Sequence, residues 1–127
     1  MNYDELNKRL KQLKIEDFIW LIYVGIIVLS WYSNSLERKY FIYNDINSKE
    51  KYRKIMIFIF CVLIVIYIYF LKDSYDDLKS LNNSDSIEKR NLTFLSFLGS
   101  LLILISGFIF LYIAIMDEDI NVEIAFN

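Results

Sequence analysis

The stretch LTFLSFLGSLLILISGFIFLYIAIM, residues 92–116, carries no charged side chain. A helix needs about 20 predominantly apolar residues to cross the hydrocarbon core of a bilayer. Because this stretch reaches that length without help from flanking residues, it predicts a membrane-spanning helix. The sequence is therefore that of an all-α integral membrane protein, with this segment as its best-defined span.

Two shorter apolar blocks, at 18–32 and 55–71, precede this stretch. Each reaches spanning length when interfacial residues at its ends are included. We therefore predict three transmembrane helices, at 17–36, 52–71 and 92–116, within a single membrane domain that covers 1–127. The first block is expected to stay as an anchor, because mostly polar residues precede it and its end lacks the small-x-small pattern of a cleavage site.

The N-terminal segment 3–15 has the spacing of an amphipathic helix. Asn2 is a candidate N-cap with a glutamate three residues on, and Leu6, Leu10 and Leu13 share one edge opposite the lysines. The segment is predicted to lie in the headgroup region. The alternative is a helix that continues into the first span, because no Gly or Pro interrupts it before Gly25.

The second and third spans are predicted to form one extended antiparallel hairpin. The second helix should begin near Ser48 with Asn47 as its cap, and its apolar stripe continues past the predicted span. Asn82 and Asn83 are typical turn residues, and Asp85 is the candidate cap of the third helix. The tip of the hairpin should stand about 15 Å beyond the membrane interface, at 1.5 Å per residue.

The C-terminal segment 117–127 begins with three acidic residues and then alternates between apolar and polar side chains. Strict alternation predicts a strand-like tail. A single strand cannot satisfy its own backbone, so the tail is expected to be disordered or to dock on a partner. The candidate docking residues are Ile120, Val122, Ile124 and Phe126.

Most small side chains of the third span lie on one side of a helix. They are Ser96, Gly99, Ser100, Ser106, Gly107 and Ala114. In lipid, such a face allows another helix to approach closely, so it predicts a helix-packing seam, with a pore lining as the alternative. The second span has no Gly, Ala or Ser between residues 55 and 71. We therefore expect the close contact to be with the first span near Gly25 or with another chain.

Aromatic residues near the ends of the spans are typical membrane-interface anchors, because their rings are amphipathic. The candidates are Trp20, Tyr23, Tyr32, Tyr67, Tyr69 and Tyr112.

Catalysis is disfavoured by what the sequence lacks. The chain has no His, a single Cys at position 61 and no acidic residue inside the three apolar blocks. The usual ligands and bases of zinc, haem and nucleophilic sites are therefore missing. We predict no catalytic residue, no cofactor, no metal and no small-molecule substrate. A net charge of −2 without a basic stripe also disfavours nucleic acid.

Function is predicted by exclusion together with the small-residue face. We expect a non-enzymatic membrane protein of bacterial or phage origin, judged from composition, whose partners are the lipid bilayer and either itself or another membrane protein. It would act as a homo-oligomer or as an accessory or immunity-type subunit. The alternative is a small oligomeric pore former of the holin or defence-effector kind.

The predicted location is the cell membrane, crossed several times. Eight Lys and Arg residues fall on the side of the N-terminus and six on the other side. This bias predicts a cytoplasmic N-terminus and an outside C-terminus. The basic cluster just before Ile55 favours the opposite orientation.

Overall fold

The computed structural model describes residues 2–116, which form three α-helices without a strand among them. Helix α1 spans Tyr3–Tyr43, α2 spans Ile46–Lys79 and α3 spans Ile87–Met116. The predicted all-helical class is confirmed for these residues. Within them, α2 and α3 are long and apolar enough to cross a membrane. The predicted strand-like tail, 117–127, lies outside the described residues.

Helix α1 begins where the sequence predicts. The side-chain oxygen Oδ1 of Asn2 accepts a hydrogen bond from the Glu5 backbone N–H at 2.8 Å, so Asn2 is the N-cap. The helix then runs unbroken for 41 residues. A separate amphipathic helix over 3–15 is therefore not confirmed. The chain instead forms one helix that continues into the predicted first span, which is the alternative that the absence of Gly and Pro before Gly25 allows.

Helix α1 ends at Tyr43, and its C-cap Asn44 adopts the left-handed conformation with φ 54° and ψ 38°. Asparagine tolerates this conformation better than most residues with a side chain, because its short polar side chain can hydrogen-bond locally. The reversal lets α2 begin only two residues later. Helix α2 therefore begins two residues before the predicted start near Ser48.

The cap of α2 is Asp45 and not Asn47, so that prediction was wrong by two residues. Asp45 Oδ1 accepts from the Asn47 backbone N–H at 3.1 Å, and Asp45 Oδ2 accepts from the Ser48 hydroxyl at 2.9 Å. A carboxylate at this place satisfies backbone donors of the first turn and favours the positive end of the helix dipole.

The cap of α3 is Ser86 and not Asp85. Ser86 Oγ accepts from the Lys89 backbone N–H at 3.1 Å. Asp85 instead closes the turn, because one carboxylate oxygen accepts from the Asn82 backbone N–H at 2.7 Å and the other from Lys89 Nζ at 3.2 Å. Arg90 Nη2 donates to the Asn82 carbonyl at 2.9 Å, which ties α3 to the end of the turn.

The described chain divides into two compact units at a boundary between Ile55 and Met56. The first holds α1 and the start of α2. In the second, the remainder of α2 packs on α3, with ring centroids 5.9 Å apart for Phe60 and Phe110 and 6.0 Å apart for Tyr75 and Phe97. As the α2 position rises from 60 to 75, the facing α3 position falls from 110 to 97. The predicted antiparallel hairpin is therefore present.

Candidate helix-packing surface of α3

Gly107 marks a close approach of α3 to α2. A Cβ atom built on Gly107 would lie 3.3 Å from Ile64 Cγ1 and 3.3 Å from Tyr67 Cδ2. These distances are tighter than ordinary van der Waals contact. The close approach of the two helices favours glycine here, whereas the backbone conformation does not call for it, because its φ angle is not positive.

The expectation that this small-residue face contacts the first span near Gly25 was wrong for Gly107. Its neighbours are Ile64 and Tyr67 of α2. The physical reason is that only one helix needs a small residue. Large side chains on α2 fit into the space that glycine leaves on α3.

Ser100 lies one heptad before Gly107 and forms a hydrogen bond between the two helices. Its hydroxyl oxygen is 3.0 Å from that of Ser74, and it also donates to the Ser96 carbonyl of its own helix at 3.0 Å. Either hydroxyl can be the donor of the hydrogen bond between the helices. One heptad after Gly107, Ala114 is 0% exposed. Ser100, Gly107 and Ala114 thus follow one side of α3, which is half-buried at Ser100 and buried at Gly107 and Ala114.

The other three small residues of the predicted set are placed differently. No atom lies within 4 Å of a Cβ built on Gly99. Ser96 and Ser106 are exposed. The structure therefore divides the predicted face into a covered seam and an edge that we call the open edge, consisting of Ser96, Gly99 and Ser106.

The predicted interface anchors are also divided. Trp20, Tyr32 and Tyr112 are exposed, whereas Tyr23, Tyr67 and Tyr69 are half-buried. The Trp20 and Tyr23 rings form an edge-to-face pair with centroids 5.7 Å apart. Tyr67 packs beside Gly107 and so contributes to the hairpin contact, a role that the sequence did not indicate.

Ile64 and Ser74 of α2 also belong to this contact, and the sequence did not indicate them. A pattern was available, because Phe60, Ile64, Tyr67, Leu71 and Ser74 recur at intervals of three and four residues. Such spacing is typical of the seam of an antiparallel helix pair. This spacing does not stand out in the sequence, because almost every residue of 55–71 is apolar and no polar face contrasts with the seam.

Comparisons of the chain with protein-family models, with curated proteins and with solved structures found no match. The fold itself defines a coarse class. Over the described residues, the protein is all-helical and contains a hairpin of two helices that are each long and apolar enough to cross a membrane.

Proposed function

We propose that this chain is a non-enzymatic integral membrane protein that acts by helix association within the bilayer. Its partner would be a second copy or another membrane protein for which it serves as an accessory or immunity-type subunit. The observation that carries the proposal is the uncovered apolar surface of the hairpin. Only 28% of the most apolar part of α2 and 11% of that of α3 are buried.

Such a surface favours lipid over water as the surroundings of the hairpin. Along α3, Leu95, Leu102, Phe108 and Ile109 are each more than half exposed. Soluble monomers rarely expose a contiguous apolar patch larger than a few hundred Å². Helices with internally satisfied backbones are also among the few structures that the hydrocarbon core accepts.

We include α1 in the membrane as a third span over 17–36. This part of α1 has one charged residue, at its first position, and its side chains are largely apolar and exposed, with Trp31 at 75%. Trp20 and Tyr32 would then lie near opposite interfaces, since each is within about 6 Å of one end of that span along the helix. Three spans would put the two ends of the chain on opposite sides, with the N-terminus cytoplasmic by the count of basic residues.

The open edge is the surface that we assign to association. Gly99 leaves space beside the α3 backbone, and Ser96 and Ser106 supply hydroxyl groups on the exposed part of the same helix. Small residues support close helix packing in lipid, where apolar side chains gain nothing by leaving a solvent as apolar as themselves. Helix α2 already packs against Gly107. Gly99 is therefore the glycine of α3 that leaves space for a further helix.

Substitution of Gly99 tests this assignment. The full chain, labelled with donor and acceptor dyes, is reconstituted into liposomes, and energy transfer is measured as lipid dilutes the protein. Gly99→Leu should weaken association about tenfold or more, because overpacking costs about 1–3 kcal/mol. Gly25→Leu is the matched control, since its Cβ also meets nothing within 4 Å.

Equal effects of Gly99→Leu and Gly25→Leu would contradict the open edge as the interface. If the wild-type chain shows no energy transfer at any dilution, self-association is wrong. The chain would then act as an accessory subunit, and a membrane protein should co-purify with it. That protein should be lost from the Gly99→Leu variant and retained by the Gly25→Leu variant.

A further inference from the structure

The surface around the α1–α2 turn has an excess of positive charge. We define the turn surface as residues 38–54, which include the end of α1 and the start of α2. Its basic residues are Arg38, Lys39, Lys49, Lys51, Arg53 and Lys54. Against these six stand only two acidic residues, Asp45 and Glu50.

The other basic segments are balanced by acidic side chains. Residues 3–17 contain four basic and four acidic residues, and the hairpin tip at 72–90 contains four basic and five acidic residues. The turn surface is therefore where a polyanionic partner gains most from charge attraction.

The acidic groups near the turn surface offset only part of its positive charge, because six basic residues stand against two acidic ones within 38–54. Glu37, which precedes it, is buried at 5% exposure. The Asp45 carboxylate is held at the α2 N-terminus by Ser48 and the Asn47 backbone N–H. Lys39, Lys51 and Lys54 are exposed, so a headgroup can reach their side chains.

The turn brings the basic residues of both helices close to one another along the helix axes. Lys49 Nζ lies 5.2 Å from the centroid of the Tyr40 ring, so the first turn of α2 folds back over the last turn of α1. At a rise of 1.5 Å per residue, the basic residues of both helices fall within about 12 Å of the turn along the helix axes.

Amphipathic and apolar side chains lie among these cations. Phe41, Ile42 and Tyr43 are all more than half exposed, with Tyr43 at 76%. Tyrosine is enriched at the level of lipid headgroups, where one end of the ring is apolar and the other wet. Lysine side chains at that level extend their ammonium groups towards phosphate.

We infer that the turn surface binds anionic phospholipid headgroups and so gives the protein a preference for membranes that contain them. Lysine and arginine residues beside a span are attracted to anionic lipid through charge, and each adds to the attraction. The inference rests on the proposed insertion of the chain in a bilayer. It adds to that proposal the class of lipid, anionic phospholipid, that the turn surface prefers.

Spin-labelled lipids measure this preference directly. The full chain is reconstituted in phosphatidylcholine, with phosphatidylglycerol or phosphatidylcholine spin-labelled near the end of an acyl chain, and the motionally restricted fraction of each is recorded. Wild type should prefer the anionic lipid. The triple variant Lys39→Gln, Lys51→Gln, Lys54→Gln should lower that preference on the order of threefold, as should 1 M NaCl.

The matched control is the triple variant Lys8→Gln, Lys11→Gln, Lys14→Gln, which removes the same charge from the balanced N-terminal segment and should keep the preference. Equal losses in the two triple variants would overturn the assignment to the turn surface. A motionally restricted fraction that shows no preference between the two lipids would overturn only this inference. The absence of any restricted fraction would show that the chain is outside the bilayer, and it would overturn the proposed function as well.

Discussion

At the scale of single residues, Gly107 links local sequence to the packing of the hairpin. It has an ordinary helical backbone, and in isolation a glycine there weakens the helix. Its benefit lies in the approach of α2, whose Ile64 and Tyr67 occupy the space that a Cβ would need. Ser74 adds a hydrogen bond to Ser100 on the same side of the pair.

Gly107→Leu is predicted to destabilise the hairpin. The added side chain must displace Ile64 or Tyr67, and overpacking of this kind costs about 1–3 kcal/mol. Unfolding in mixed detergent micelles with increasing sodium dodecyl sulfate measures the change. Gly25→Leu introduces the same side chain where no atom lies within 4 Å and should leave the stability nearly unchanged. A Gly107→Leu protein as stable as wild type would contradict the close contact.

At the scale of elements, a short polar turn fixes how α3 follows α2. The Asn82 backbone N–H holds the pKa of the Asp85 carboxyl below its ordinary value of 3.8, and Lys89 lowers it further. Ser86 caps α3 immediately afterwards. These contacts are local and exposed, so they orient the turn more than they stabilise the whole hairpin.

The turn is predicted to loosen in acid. Because folding lowers the pKa of Asp85, its contribution is present above pH 3.8 and is lost as the pH falls through the lower pKa of the folded state. The chemical shift of the Asn82 amide, followed by NMR in micelles from pH 6 to pH 2.5, should therefore change with a midpoint below 3.8. Asp85→Asn should abolish that transition.

Asp76→Asn is the control for this titration, because it removes the same charge from an exposed side chain of α2. It should leave the Asn82 transition in place. A midpoint above 3.8 in the wild-type protein would contradict the hydrogen bonds that Asp85 makes in the turn.

At the scale of the whole molecule, the hairpin contacts set the two apolar stretches out of register. Tyr75 packs on Phe97, so the charged segment 72–79 of α2 lies level with the apolar start of α3. The predicted spans 52–71 and 92–116 therefore do not begin and end at the same height along the hairpin. Around the tip, α2 offers charged side chains while α3 still offers apolar ones.

Insertion of this hairpin in a bilayer is predicted to shield Cys61. Its side chain is exposed on α2 within the apolar stretch 55–71. In lipid, the thiol should react with a charged maleimide on the order of 100-fold more slowly than a thiol in water, because the charged reagent is excluded from the hydrocarbon core. Labelling is measured in nanodiscs, where both membrane faces are accessible, and again in sodium dodecyl sulfate.

Ser84→Cys in a Cys61→Ala background supplies the control, because residue 84 lies in the exposed turn of the hairpin. It should react at the rate of a thiol in water, both in nanodiscs and in detergent. Rapid labelling of Cys61 in nanodiscs would contradict a membrane-spanning α2.

The sequence was sufficient to predict the helical class, the extent of the apolar segments, the Asn2 cap and the hairpin, because hydropathy and local hydrogen-bonding preferences act over a few residues. It placed the caps of α2 and α3 only to within two residues, since several neighbouring polar residues can perform that role. It also identified the small-residue face of α3. The contacts of Gly107 with Ile64 and Tyr67, and the space beside Gly99, are visible only in the folded chain. Those contacts depend on side-chain shape between helices whose facing residues are up to about 50 positions apart, and no local pattern carries that information.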